Sequence, residues 1–125
     1  MVDLRKLQKA ALSALEDIKA REVEVFDVTH LTSMFDRVII ASADSARQLK
    51  ALASHVQEEA KAAGGRVYGV EGEAGGDWVL LDLGDIILHI MQPAVRSHYN
   101  LEELWGQPKP RKPRARRKAA PARSG

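Results

Sequence analysis

Cysteine is absent from this 125-residue chain, which excludes disulfides, thiol nucleophiles and thiolate metal sites. Long apolar runs are also missing, and none approaches the roughly 20 residues that a membrane-spanning helix needs. The amino-terminal MVDLRKLQ is charged and carries no apolar segment, so no secretory leader is expected and a cytoplasmic protein is. Aromatic residues are scarce, two each of Phe, Trp and Tyr, and four of the five prolines lie beyond Gly106. What remains, 45% apolar and 29% charged, is the composition of one globular domain.

The charge is divided unevenly. Residues 107–125 hold Lys109, Arg111, Lys112, Arg114, Arg116, Arg117, Lys118 and Arg123 with no acid, a net +8. Residues 1–106 keep eleven bases against seventeen acids, a net −6. With no large apolar side chain to bury, the terminal segment is expected to be a disordered basic tail. Such arms bind nucleic acid or serve solubility. The expected organisation is a domain over 1–106 and a tail over 107–125.

Periodicity gives the elements. Leu4, Leu7, Ala11, Leu15 and Ile18 predict an amphipathic helix over 4–21 with Asp3 as N-cap. Residues 23–28 and 37–41 read as strands. Ser45 and Gln48 have capping-box spacing ahead of a second helix on Leu49, Leu52, Val56 and Ala60, stopped by Gly64-Gly65. Strands are expected over 66–70, 77–83 and 86–91, with Gly84-Asp85 as a two-residue type II′ turn between the last two. Pro93 opens a short helical stretch. This order predicts an α/β fold, a mixed sheet flanked by helices.

Candidate chemistry is sparse. Asp27, Asp36, Asp82 and Asp85 contain no Asp-x-Asp pair that would bring two carboxylates to one face of a strand for Mg²⁺. His30, His55, His89 and His98 lack ligand spacing, and His89, inside a strand, reads as a packed, hydrogen-bonded residue. No phosphate-cradling glycine loop precedes a helix. Neither metal nor cofactor is expected, and no enzyme activity. Binding is better supported: the loop from Glu71 to Asp77 ends on Trp78 at a strand start, and Tyr99 and Trp105 add aromatic surface. A Trp in this place serves equally as an interface anchor or as core packing.

The run WVLLDLGDIILHIM over 78–91, followed by Arg96-Ser-His-Tyr99-Asn-Leu101-Glu102-Glu-Leu104-Trp105, closely resembles the ribosomal silencing factor family, also called the Iojap-like proteins. Glu71-Gly72, Asp27-Val28, Ser33, Asp36, Ser45 and Arg47-Gln48 fit the same pattern, which spans roughly 4–105. The basic tail lies outside it. The resemblance implies a five-stranded mixed sheet with helices, nucleotidyltransferase-like in shape but without the catalytic carboxylates. It implies binding to the large ribosomal subunit through the large-subunit protein numbered fourteen, on the intersubunit face, which blocks subunit joining and represses translation. Organellar relatives act in large-subunit assembly. Contact residues are expected at Glu71, Asp77, Trp78, Arg96 and Tyr99, and ribosomal RNA contacts at Arg111, Lys112, Arg114, Arg116, Arg117 and Lys118 of the tail. A homodimer is the expectation for the free protein, and a free-standing RNA-binding protein acting through the tail is the alternative. Two positions depart from the family's pattern: Phe35 precedes Asp36 in place of Thr, and Ala43 replaces a loop glycine.

Overall fold

The computed structural model describes residues 3–105. The elements, in chain order, are α1 (Leu4–Asp17), β1 (Arg21–Asp27), β2 (Arg37–Ser42), α2 (Ala46–Ala62), β3 (Gly69–Glu71), β4 (Trp78–Asp82), β5 (Ile86–Met91), α3 (Pro93–Tyr99) and α4 (Leu101–Trp105). The strands form one sheet in the order β1-β2-β5-β4-β3. Only the central β2–β5 pair is parallel, so the sheet is mixed, as expected. The basic tail lies outside the described residues.

Residue alternation divides the core in two. Ile86, Leu88 and Ile90 of β5, Ile39 and Ala41 of β2, and Val79 and Leu81 of β4 face the helix layer, where they pack on Leu7 and Leu15 of α1 and Leu49, Leu52 and Val56 of α2. The opposite face carries Val38, Ile40 and Met91, joined by Val28 and bordered by half-buried Phe26, Phe35, Trp78, Val95 and Leu101. β2 and β5 are therefore buried on both faces and read as largely hydrophobic runs, interrupted in β5 by the buried His89. Phe35 packs its ring into this second cluster, and Ala43 is fully buried in the first with its N–H bonded to the Met91 carbonyl at 2.9 Å. Both departures from the family pattern are thus accommodated as core residues.

Helix ends depart from the sequence expectation in instructive ways. Asp3 caps α1 by accepting from the Lys6 N–H at 2.8 Å. The helix ends at Asp17, four residues before the predicted 21, because Lys19 turns left-handed (φ 64°) and Ala20 N–H closes back on the Leu15 carbonyl. The amide of Gln48 donates to the Ile18 and Lys19 carbonyls at 3.0 and 3.1 Å, taking the place of further helical bonds. Ser45 Oγ accepts from the Gln48 N–H at 3.0 Å, but Gln48 Oε1 accepts from Asp44 rather than from Ser45, so the capping box is only half formed. Gln48 instead ties the start of α2 to the end of α1. The stop at Gly64 is as expected, with φ +94° and Gly65 N–H bonded to the Ala60 carbonyl.

The strand predicted over 66–70 is shorter and later. β4 turns away after Asp82, so backbone partners exist only from Tyr68, whose N–H donates to the Asp82 carbonyl at 2.7 Å. The predicted turn is present. Gly84 has φ +91° while Asp85 does not enter the left-handed region, which fits the primed turn with Gly first. Asp82 Oδ1 accepts from the Gly84 N–H, and the Gly84 backbone leaves room for the Tyr68 ring that a Cβ would strike.

α1 and α2 are also joined by His55, whose Nε2 lies 2.9 Å from Asp17 Oδ2 and Nδ1 3.6 Å from Glu58 Oε1. The hydrogen bond to Asp17 raises the His55 pKa above the ordinary 6.5, and Glu58 adds to it. A group whose folded pKa exceeds its unfolded value stabilises the fold fully below the unfolded pKa and loses that contribution as pH rises through the folded one. Urea midpoints should therefore fall as pH is raised from about 6.5 upward, and His55→Gln should flatten that part of the profile; an unchanged profile would show that the strap carries no charge.

Candidate functional site

The second sheet face is thinly covered, and the sequence-derived contact residues cluster on it. Trp78 opens β4, opposite Met91 in the β4–β5 register, with Leu80 opposite His89. The indole N–H donates to His89 Nδ1 at 3.1 Å. Tyr99, at the end of α3 and 54% exposed, lies against the same indole with ring centroids 4.8 Å apart, and His98 meets Tyr99 edge-on at 4.8 Å. Trp78 is half-buried: its inner edge is fixed by a hydrogen bond and its outer edge is available. That is the build of a rigid aromatic anchor, which loses little side-chain entropy on contact.

Beside it runs an open groove of about 500 Å³ lined by Glu71, Gly72, Gly75, Asp77, Trp78 and Leu80. Gly72 adopts φ +89°, and a Cβ there would collide with the Trp78 carbonyl, so the loop can close on the strand only with glycine at this point. Gln92, the residue before α3, holds the loop from the other side. Its amide donates to the Gly76 carbonyl at 2.6 Å, and its N–H donates to the Asp77 carbonyl at 2.9 Å. Glu71 and Asp77 are exposed on the rim.

Arg96 differs from the expected contact role. It is only 6% exposed and points inward from α3. Nε donates to Glu102 Oε2 at 2.8 Å, and Nη1 donates to the Glu22 carbonyl at 2.7 Å and Ser42 Oγ at 2.8 Å. It joins α3, α4, β1 and β2 and holds Tyr99's helix on the sheet. Of the expected contact residues, Glu71, Asp77, Trp78 and Tyr99 therefore lie at the surface, with Arg96 beneath α3.

His89 and Leu80 were missing from the sequence-derived cluster. A two-residue turn at 84–85 pairs residue 82 with 87 and 80 with 89, so the register placing His89 beside Trp78 was available in principle. Gln92 carried no such signal. Burial alone lowers the His89 pKa to about 4. The bond from the indole N–H requires a free lone pair on Nδ1, which places the proton of the neutral ring on Nε2. The folded pKa is below the unfolded 6.5, so this contribution to stability is complete above 6.5 and is lost as pH falls toward 4. The His89 ring resonances should titrate with a midpoint near 4; a midpoint near 6.5 would mean the ring is open to water.

Among the described residues, no group of three or more His, Asp or Glu side chains is placed to hold a metal ion. No described helix is long and apolar enough to cross a membrane.

The chain matches the protein family described as ribosomal silencing factor during starvation over residues 2–124. This match runs past Gly106, where the motif resemblance stopped, so the basic segment falls within the matched span. A ribosomal silencing factor of Chromobacterium violaceum is 48% identical over 109 residues, 87% of this chain and 89% of its own. A crystal structure of a protein from the same organism superposes with a TM-score of 0.81 at 46% identity, covering 90% of this chain and 94% of its own. A mouse protein named for mitochondrial assembly of the ribosomal large subunit is 30% identical over 97 residues, 75% of this chain and 42% of its own length. With its mixed five-stranded sheet and the motif run through Trp78 and His89, the chain belongs to the ribosomal silencing factor family.

Proposed function

We propose that this protein binds the large ribosomal subunit in the cytoplasm through the second sheet face, at the large-subunit protein numbered fourteen, and blocks small-subunit docking by occupying its space. The observation that carries this reading is the half-buried Trp78, fixed by His89 and flanked by Tyr99 beside an open groove. No reaction is required. A standard interface buries about 800 Å² per partner, and nanomolar affinity corresponds to about −12 kcal/mol. The acidic body, with Glu71 and Asp77 on the groove rim, complements a basic ribosomal partner and speeds encounter. The basic tail adds contacts to ribosomal RNA, and the free protein pairs with a second copy.

Sucrose-gradient sedimentation with purified subunits tests the reading. The protein is expected in the large-subunit peak, with joined ribosomes depleted. Absence from that peak, with joining unaffected, would overturn it. The mouse relative's name supports a second reading, a role in large-subunit assembly; depletion of the protein would then leave immature large subunits in growing cells.

A further inference from the structure

We propose that the basic, proline-containing segment after α4, residues 108–114 of this same chain, docks in cis on the Trp78 groove and covers it until a partner displaces it. The lining of the groove selects such a segment. Trp78 and Leu80 form an apolar floor, and Glu71 and Asp77 stand on the rim with no base among the lining residues. Exposed Tyr99 extends the floor as a second ring against the indole. Glu73, exposed on the same loop, adds a third carboxylate. None of Glu71, Glu73 and Asp77 has an ion-pair partner among the described residues, whereas Glu24, Asp27 and Asp44 are held by Arg96, Arg37 and Arg21. The start of α2 meets the loop where Gly76 abuts Ala46, but Arg47 and Lys50 sit on a helix that packs on the opposite face of the sheet. Arg96 is buried and spent on Glu102.

Sequence and reach choose the occupant. Pro108, Pro110 and Pro113 alternate with Lys109, Arg111, Lys112 and Arg114. Pro110-Arg-Lys-Pro113 has the Pro-x-x-Pro spacing that aromatic-lined grooves take as a polyproline II helix. That helix lays proline rings on Trp78 and Tyr99 and leaves the guanidinium groups to the rim carboxylates and the indole face. Residues 107–125 hold no acid, so nothing within the segment competes for its bases. Tyr99 touches Trp78, and Asn100 and α4 separate it from residue 106. α4 has five residues, a rise of about 7 Å, and residues 106–109 span up to about 14 Å. Pro110 is therefore able to return to Tyr99 even if α4 runs directly away from it. A linker this short gives an effective concentration of about a millimolar, so a segment with about that affinity as a free peptide is docked half of the time. A docked tail occupies the surface proposed above for the large subunit, and subunit binding releases its bases for ribosomal RNA. That consequence rests on the proposed subunit binding; the docking itself does not.

The test is paramagnetic broadening of the magnetic resonance spectrum of the full chain. No ribosome is present, so the outcome is read apart from subunit binding. Because the chain has no cysteine, Ala115→Cys carries a single nitroxide. Selective loss of the amide signals of residues 71–80 and of the Trp78 indole N–H is expected, with the signals of α1 retained. Glu71→Gln with Asp77→Asn, both at exposed positions, should restore the lost signals. Pro110→Ala with Pro113→Ala should restore them as well, since it removes the rings and keeps the charge. Uniform broadening, loss centred on another surface, or loss that either pair of substitutions leaves unchanged would overturn the proposal. Nitroxide-bearing protein is also mixed with isotope-enriched protein that has no nitroxide. Signal loss of equal size in that mixture would assign the groove to the tail of a second copy and overturn docking in cis.

Discussion

Trp78→Ala is expected to weaken binding to the large subunit by at least about 2 kcal/mol, roughly thirtyfold, the scale of a central interface anchor. The indole is the one large ring at the groove that is both held from behind and open in front. Its N–H is bonded to His89 and its face lies on Tyr99. Truncation removes the contact area and leaves His89 Nδ1 without its donor. Because part of this cost falls on folding, Trp78→Phe provides the control. Phe retains most of the packing but not the N–H, so its affinity should fall between the parent and Ala. Equilibrium binding by fluorescence or co-sedimentation reads the effect. Parent-like affinity in Trp78→Ala, with a normal melting curve, would place the interface elsewhere.

Arg96→Ala is expected to cost about 3 kcal/mol of stability, because it removes a buried guanidinium and leaves its partners unpaired. Glu102 would lose its partner, and Ser42 Oγ and the Glu22 carbonyl would lose their donor. For a domain of this size that corresponds to a drop of roughly 15 °C in melting temperature. Arg96→Lys should recover little, since an ammonium cannot direct separate donors to Glu102, Ser42 and Glu22 at once. Glu24, 3.9 Å from Nη2 and half-exposed, adds only a weak surface attraction. Urea denaturation measures the change. A loss below about 1 kcal/mol would mean that α3 and α4 are held by Val95 and Leu101 packing rather than by the guanidinium. Binding to the subunit should fall with Arg96→Ala as well, through displacement of Tyr99 rather than through any direct contact.

The two predictions separate what local pattern reveals from what it conceals. The β4–β5 hairpin was legible because Gly84-Asp85 is short, and a two-residue turn fixes the register of everything paired beyond it. Trp78 was legible as a candidate because a large aromatic at a strand start after a glycine-rich loop is unusual in a chain with six aromatics. The burial of Arg96 was not legible because its partners include Ser42 and Glu22, 54 and 74 residues away in sequence. No local period reports such a bond. The boundaries of α1 and β3 shifted for the same reason: Gln48, thirty residues away, satisfies the carbonyl of Ile18, and the end of β4 decides where β3 begins.

By itself, the sequence determined the class of fold, the helix faces, the strand hairpin and the separation of an acidic body from a basic end, because these follow from alternation, turn chemistry and charge, all of which are local. Only the tertiary structure decided which polar side chains are spent inside the molecule and which remain for a partner. Arg96 turns inward while Tyr99 and Glu71 stay out, and burial of a polar group depends on whether distant parts of the chain supply its hydrogen bonds.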